Sequence, residues 1–188
     1  MIRRAVLVTA LLAFLLPGCA ASTDVRPDCR GEDPVFALAA QAVPSASLLP
    51  CLDALLTGWD FAGSQVVDGA FRFWLASDRA GMKAVEVELL TACDVSNAVE
   101  VIAGPDEIGT RRFEEPISLG PSYSANRYYT FPGGCVKVEY RFDDDDTSLV
   151  LQADQAISFR PRQELVDRYA DVGLILCGFG ATGCAGGD

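Results

Sequence analysis

Histidine is absent from this 188-residue chain. That removes Ser-His-Asp and Cys-His nucleophiles, histidine general bases and nearly all catalytic zinc arrangements. No GxSxG and no GxxxxGK[ST] occurs, so the hydrolase elbow and the P-loop have no foothold. None of the seven cysteines falls in a CxxC, which leaves a zinc or thioredoxin-like reading without support. Lysine is scarce as well: of 15 basic residues only Lys83 and Lys137 are lysines. There is no apolar run of the roughly 20 residues that a ~30 Å hydrocarbon core demands. The run near the start, Ala5 to Leu16, holds 12.

That short run is informative in its setting. Arg3 and Arg4 precede it, giving the basic and apolar regions of a secretory signal, and Leu16-Pro17-Gly18-Cys19 follows it. The segment resembles the bacterial lipobox, with Leu three residues before an obligatory Cys and a small residue just before it. The resemblance implies Sec export, cleavage before Cys19 and a diacylglyceryl thioether on its sulfur. Two or three acyl chains then anchor the protein stably, where one would not.

Cysteine counting points to the same compartment. With Cys19 as the lipidation site, six cysteines remain: Cys29, Cys51, Cys93, Cys135, Cys177 and Cys184. An even number in an exported chain predicts three disulfides. Cleavage before Cys19 would leave 170 residues, enough for one domain with its own core, and would take the formal charge from −11 to −13. A domain this acidic repels phosphate, so nucleic acid is excluded as a partner.

The organisation reads as a signal peptide over 1–18, lipidated Cys and tether over 19–32, and one extracytoplasmic domain over 33–188. Asp33-Pro34 is a helix start, and Val35, Phe36, Leu38, Ala39 and Val43 give an apolar face to a helix near 34–42. Bridging Cys29 to Cys51 staples this segment to the domain. Trp59–Val67 and Ala70–Ser77 read as strands joined by the hairpin turn Asp68-Gly69. Residues 82–90 and 136–142 alternate between apolar and charged, as strands with one face in the core and one in water do. Cys93 follows the first and Cys135 precedes the second. Antiparallel neighbours bring the two sulfurs together and set Lys137 or Arg141 against Glu86 or Glu88. Cys177 and Cys184 then pair locally. Further strands are expected near 110–115 and 128–131 and a helix over 161–170, while 148–159 is compatible with either. The fold class is α+β: a single domain with a mainly antiparallel sheet of five or six strands and a few short helices, braced by disulfides.

Candidate chemistry is sparse. Asp143, Asp144, Asp145 and Asp146 are weak metal candidates. Four adjacent carboxylates attract a hard cation such as Ca²⁺, but successive residues cannot all face one ion and EF-hand spacing is missing, so a solvated turn is expected. Trp59, Trp74, Tyr128 and Tyr129 suit core and cross-strand packing better than a ligand face. Glu114 and Glu115 point to opposite faces of a strand, and Arg111-Arg112 beside them reads as a surface charge cluster. A carboxylate-dependent hydrolase requires two of Asp60, Asp78, Glu114, Glu115 and Asp154 to converge in one cleft.

Taken with the lipobox, the Arg-over-Lys usage and the segments Asp33-Pro-Val-Phe, Gly58-Trp-Asp-Phe and Phe131-Pro-Gly-Gly-Cys135, the chain resembles the small actinobacterial envelope lipoproteins to which no activity is assigned. The resemblance implies a location: the outer face of the cell membrane. No catalytic residue and no cofactor is implied. The expectation is a lipid-anchored, non-enzymatic module that presents a braced surface to an envelope protein or wall polymer. The alternative is a small ligand- or cation-binding protein serving a membrane partner, with a pocket lined by some of the aromatics and with the Asp run or Arg111 and Arg112 at its mouth.

Overall fold

A computed structural model describes residues 21–23, 26–30, 34–67, 69–105, 107–143 and 145–179; for 21–23 and 34–36 only the backbone is described. Cys19, Asp33, Asp68, Asp144 and Cys184 lie outside these residues, as does the predicted signal peptide.

The described residues build one domain dominated by antiparallel sheet, with three short helices among them. Ten strands occur among the described residues: β1 (Ala21–Thr23), β2 (Leu48–Leu52), β3 (Trp59–Val67), β4 (Ala70–Ser77), β5 (Gly81–Leu90), β6 (Val99–Val101), β7 (Arg111–Leu119), β8 (Tyr123–Phe131), β9 (Gly134–Phe142) and β10 (Ile157–Pro161). The helices are α1 (Pro34–Ala42), α2 (Ser148–Asp154) and α3 (Arg162–Asp171). Eight strands form one sheet in the order β1-β3-β4-β5-β9-β8-β7-β6, and β10 pairs with β2 in a second, two-stranded sheet. This exceeds the five or six strands expected. The additional ones are short or carry no alternation, such as β1 and β6 at three residues each.

Alternation fixes the two faces. On the inner face Phe71, Phe73, Leu75, Val85, Val87, Leu89, Val136, Val138 and Tyr140 are buried against α1, α2 and the small sheet. Burial of a Phe or Leu contributes about 1.5–3 kcal/mol, so these strands hold most of the hydrophobic stabilisation. On the outer face Glu88 stands opposite Lys137 and pairs with Arg72 at 2.6 Å. Glu86 and Glu139 are opposite one another, a like-charge pair that Arg141 relieves by contacting both, at 3.5 and 2.7 Å. The alternation of residues 82–90 breaks at Lys83, which has φ of 54° next to a bulge opposite Leu75 and Ser77 and lays its ammonium 4.5 Å over the Trp74 ring.

Helix α1 buries Ala39 and Ala40, and Val43 just past its last residue continues that face, whereas Leu38 is 48 % exposed. The buried stripe is one of small side chains at i, i+1 and i+4, which allows a close approach to the sheet and leaves Leu38 off the stripe. The segment read as a tether is engaged where it is described. Ala21–Thr23 adds to the sheet edge against Val66, Gln65 and Ser64, and Asp28 bridges to Leu52. Unpatterned polar residues give no periodicity to announce such an edge strand, because its stabilisation comes from backbone hydrogen bonds.

Cys29–Cys51 and Cys93–Cys135 are disulfides, with Cα separations of 4.9 and 5.9 Å. The second staples a crossover. After β5 the chain must travel to β6 at the far edge of the sheet, and it does so across the outer face. Cys93 is held to β9 there, and Val95 and Ala98 pack on Tyr128 and Phe113. Cys177 is also disulfide-bonded.

Candidate functional site

Strand β8 places Ala125, Arg127 and Tyr129 on the inner face, opposite Tyr140, Val138 and Val136 of β9 on one side and Pro116, Glu114 and Arg112 of β7 on the other. The covering layer of helices ends above this strand. Arg127 therefore sits where core gives way to an open cleft, 8 % exposed, and a charge in that position needs partners. It has them: Nη1 donates to Asp154 Oδ2 of α2 at 2.5 Å, and Nε and Nη2 donate to Glu114 Oε1 of β7 at 3.1 and 3.0 Å. Tyr140 donates its hydroxyl to the other Asp154 oxygen at 2.5 Å, and its ring centre lies 5.5 Å from the guanidinium. Arg112 extends the network, bonding Glu114 at 2.9 Å and Glu107 at 3.2 Å.

The result is a continuous chain of alternating charge, Glu107–Arg112–Glu114–Arg127–Asp154, closed by Tyr140. Burial opposes the charge on Arg127, but Tyr140, Asp154 and Tyr129 outweigh it and raise its pKa. Burial pushes the Tyr129 and Tyr140 hydroxyls upward, so both stay neutral. Glu114, Pro116, Leu119, Tyr123, Arg127, Tyr140 and Thr147 line a cleft of about 300 Å³ over this network. Its walls combine carboxylate oxygens, hydroxyls and aromatic faces, a set suited to a small hydroxylated or cationic molecule.

Of the carboxylates considered from sequence, Glu114 and Asp154 converge here, and Asp60 and Asp78 are exposed elsewhere. The two that converge are committed to one guanidinium, so neither addresses a substrate without breaking an ion pair. Glu115 points to the outer face, accepting from Asn126 and Tyr128 at 2.9 and 2.8 Å. The Asn126 and Tyr128 bonds hold its carboxyl below the usual range, and burial and the same bond push Tyr128 up to about 12. The candidate aromatics divide between the faces: Trp59 and Tyr129 belong to the inner core, Trp74 and Tyr128 to the outer side. Arg111 is an exposed partner of Glu100, with two bonds of 2.9 and 2.8 Å.

Asp143 and Asp145 are exposed, and Asp146 accepts from the Ser148 backbone and pairs with Arg79. Those Ser148 bonds, with Arg79, lower its pKa. Among the described residues no three His, Cys, Asp or Glu side chains gather as a metal site. Gly178-Phe-Gly-Ala-Thr-Gly183 has dinucleotide-loop spacing, but residues 174–177 before it are irregular where that motif needs a strand.

Sequence reading did not single out Arg127, Tyr123 or Tyr140. The signal for Arg127 was an arginine on the apolar side of an alternating strand, visible once β8 is extended back to Tyr123. No family model, no curated protein and no solved structure matches the chain. No described helix is long and apolar enough to cross a membrane.

Proposed function

We propose that this is an exported envelope protein, lipid-anchored through Cys19 on the extracytoplasmic face, whose domain is a non-enzymatic interaction module. The observation that carries it is Leu16-Pro-Gly-Cys19 behind a basic and 12-residue apolar segment. Disulfide-bonded Cys29, Cys51, Cys93, Cys135 and Cys177 support it, since such bonds persist in oxidising compartments. The partner is an envelope protein or wall polymer, and no cofactor is required. Detergent-phase partitioning of membranes from a bacterial host tests the anchor. Wild type enters the detergent phase and Cys19→Ala stays aqueous; equal partitioning of both ends the reading.

One observation favours a second reading, a small ligand-binding protein: the cleft over Arg127. Titration calorimetry with a panel of sugars, polyols and small amines tests it. A ligand whose affinity falls at least tenfold in Glu114→Gln supports the reading, and a panel without heat removes it.

A further inference from the structure

We infer that the domain stands on the membrane in one orientation, with the end of the sheet that carries the β3–β4 turn resting on the bilayer and the Arg127 cleft and the Asp143–Asp146 loop at the opposite end. The inference rests on anchoring at Cys19. Cys19 is two residues from Ala21 in sequence, and two residues of extended chain span at most about 7 Å. Ala21 is paired to Val66, beside the turn that joins Val67 to Ala70. An anchor so close to an edge strand selects the end of the sheet that meets lipid.

Register shows what else lies at that end. Ala70 pairs with Leu90, Leu90 with Cys135, and Phe131 with Gly134, so the 91–92 and 132–133 loops share it. Gly69 donates to Ala42 and Ser45 to Gly133, which adds the turn after α1. Pro44, Ser45, Thr91, Ala92, Pro132 and Gly133 are exposed there and uncharged; Arg111, level with Thr130 and Cys135, is exposed at the same end but is paired with Glu100, and Asp94 follows the 91–92 loop. The opposite end presents Asp78, Asp143 and Asp145, all exposed, with Asp143 donating its backbone N–H to Ala80. Strands of nine or ten residues separate the two ends by roughly 30 Å. That is several times the ~8 Å screening length, so the acidic loops escape the repulsion of anionic headgroups that the inverted pose would impose.

Photocrosslinking in native membranes tests the pose. Benzoylphenylalanine is placed in the full chain at Ala92 and, separately, at Met82, which is 92 % exposed beside the acidic loops. Illumination is expected to give a phospholipid adduct at position 92 at least tenfold above position 82. Adducts at 82, or equal yields at both, overturn the orientation. Intact mass of the same preparations separates the two ideas: a lipidated chain with the wrong pattern sinks the pose alone, and an unlipidated chain sinks the anchor and the pose together.

Discussion

The two ends of the main sheet are held by different chemistry. At the end bearing the β3–β4 turn, covalent and neutral links stand beside the Arg111–Glu100 and Arg112–Glu107 ion pairs. Cys93–Cys135 fastens the crossover to β9, and Arg162, fully buried, donates to the carbonyls of Ala40 and Cys177 at 2.6 and 2.5 Å. From mid-sheet toward the opposite end the links are ionic: Arg127 with Glu114 and Asp154, and Arg79 with Asp146. Two buried arginines thus solve one problem in two ways. Arg162 places its two Nη groups on backbone oxygen, and burial lowers its pKa. Arg127 meets carboxylates at the lip of a cleft. The first arrangement fixes a segment in place, and the second leaves charged oxygens facing solvent. A module that rests on one end and works with the other is built along these lines.

This difference is open to attack at either end. Removing Cys93–Cys135 by a double change to Ala reopens a loop spanning 42 residues. Chain entropy puts the loss at about 4 kcal/mol, read as a fall in Tm on the order of 10 °C. Wild type in reductant, which also opens Cys29–Cys51 and the Cys177 bond, should fall at least as far, and an unchanged Tm in both would mean that the staple is idle.

Arg162→Met comes next. It leaves the buried Ala40 carbonyl without its Arg162 donor, at a cost of about 1–3 kcal/mol by denaturant unfolding. Arg127→Met should cost about 1–2 kcal/mol, because the cleft lets water reach the abandoned carboxylates. A double-mutant cycle with Asp154→Asn should show a coupling of roughly 1–3 kcal/mol for Arg127 and none for Arg162. Equal couplings would erase the distinction.

Acid should weaken the paired and hydrogen-bonded carboxylates wherever they lie on the sheet. Ser148 and Arg79 lower the pKa of Asp146, and on the outer face Glu115 is lowered by Asn126 and Tyr128; Glu139 is lowered too, where bonds from Arg141 and Lys137 outweigh its burial. A carboxylate with a depressed folded pKa stabilises above its unfolded value and loses that stability as pH falls through the folded one. Tm should therefore be flat from pH 7 to about 5 and decline below about 4, and Ser148→Ala should shrink that decline. The smallest effect belongs to Asp143→Asn and Asp145→Asn, which should move stability by less than about 0.5 kcal/mol, as solvated loop charges do.

How much of this was legible in the sequence differs by element. Helix α1, the two strands flanking Asp68-Gly69, and the pairing that joins Cys93 to Cys135 were all readable, because each has a local signature: a proline at a helix start, a two-residue turn, strict alternation. Residues 148–159 were ambiguous because a helix ends at Asp154 and a strand begins at Ile157 within one apolar stretch. The cleft was hidden for a different reason. Glu107, Glu114, Arg127, Tyr140 and Asp154 are spread over 48 positions and meet only through strand register and the docking of α2, which no local pattern encodes. Glu114 and Asp154 were on the list of carboxylates to watch, but the arginine that gathers them was not.

The central claim is that Cys19 carries lipid while the other six cysteines are bonded. Intact mass of the full-length product purified from bacterial membranes, alkylated without reduction, measures both at once. The account predicts a chain beginning at Cys19 with added diacylglyceryl and acyl mass and no alkylated thiol. A chain that keeps residues 1–18, gains no lipid and takes up alkyl groups would contradict it.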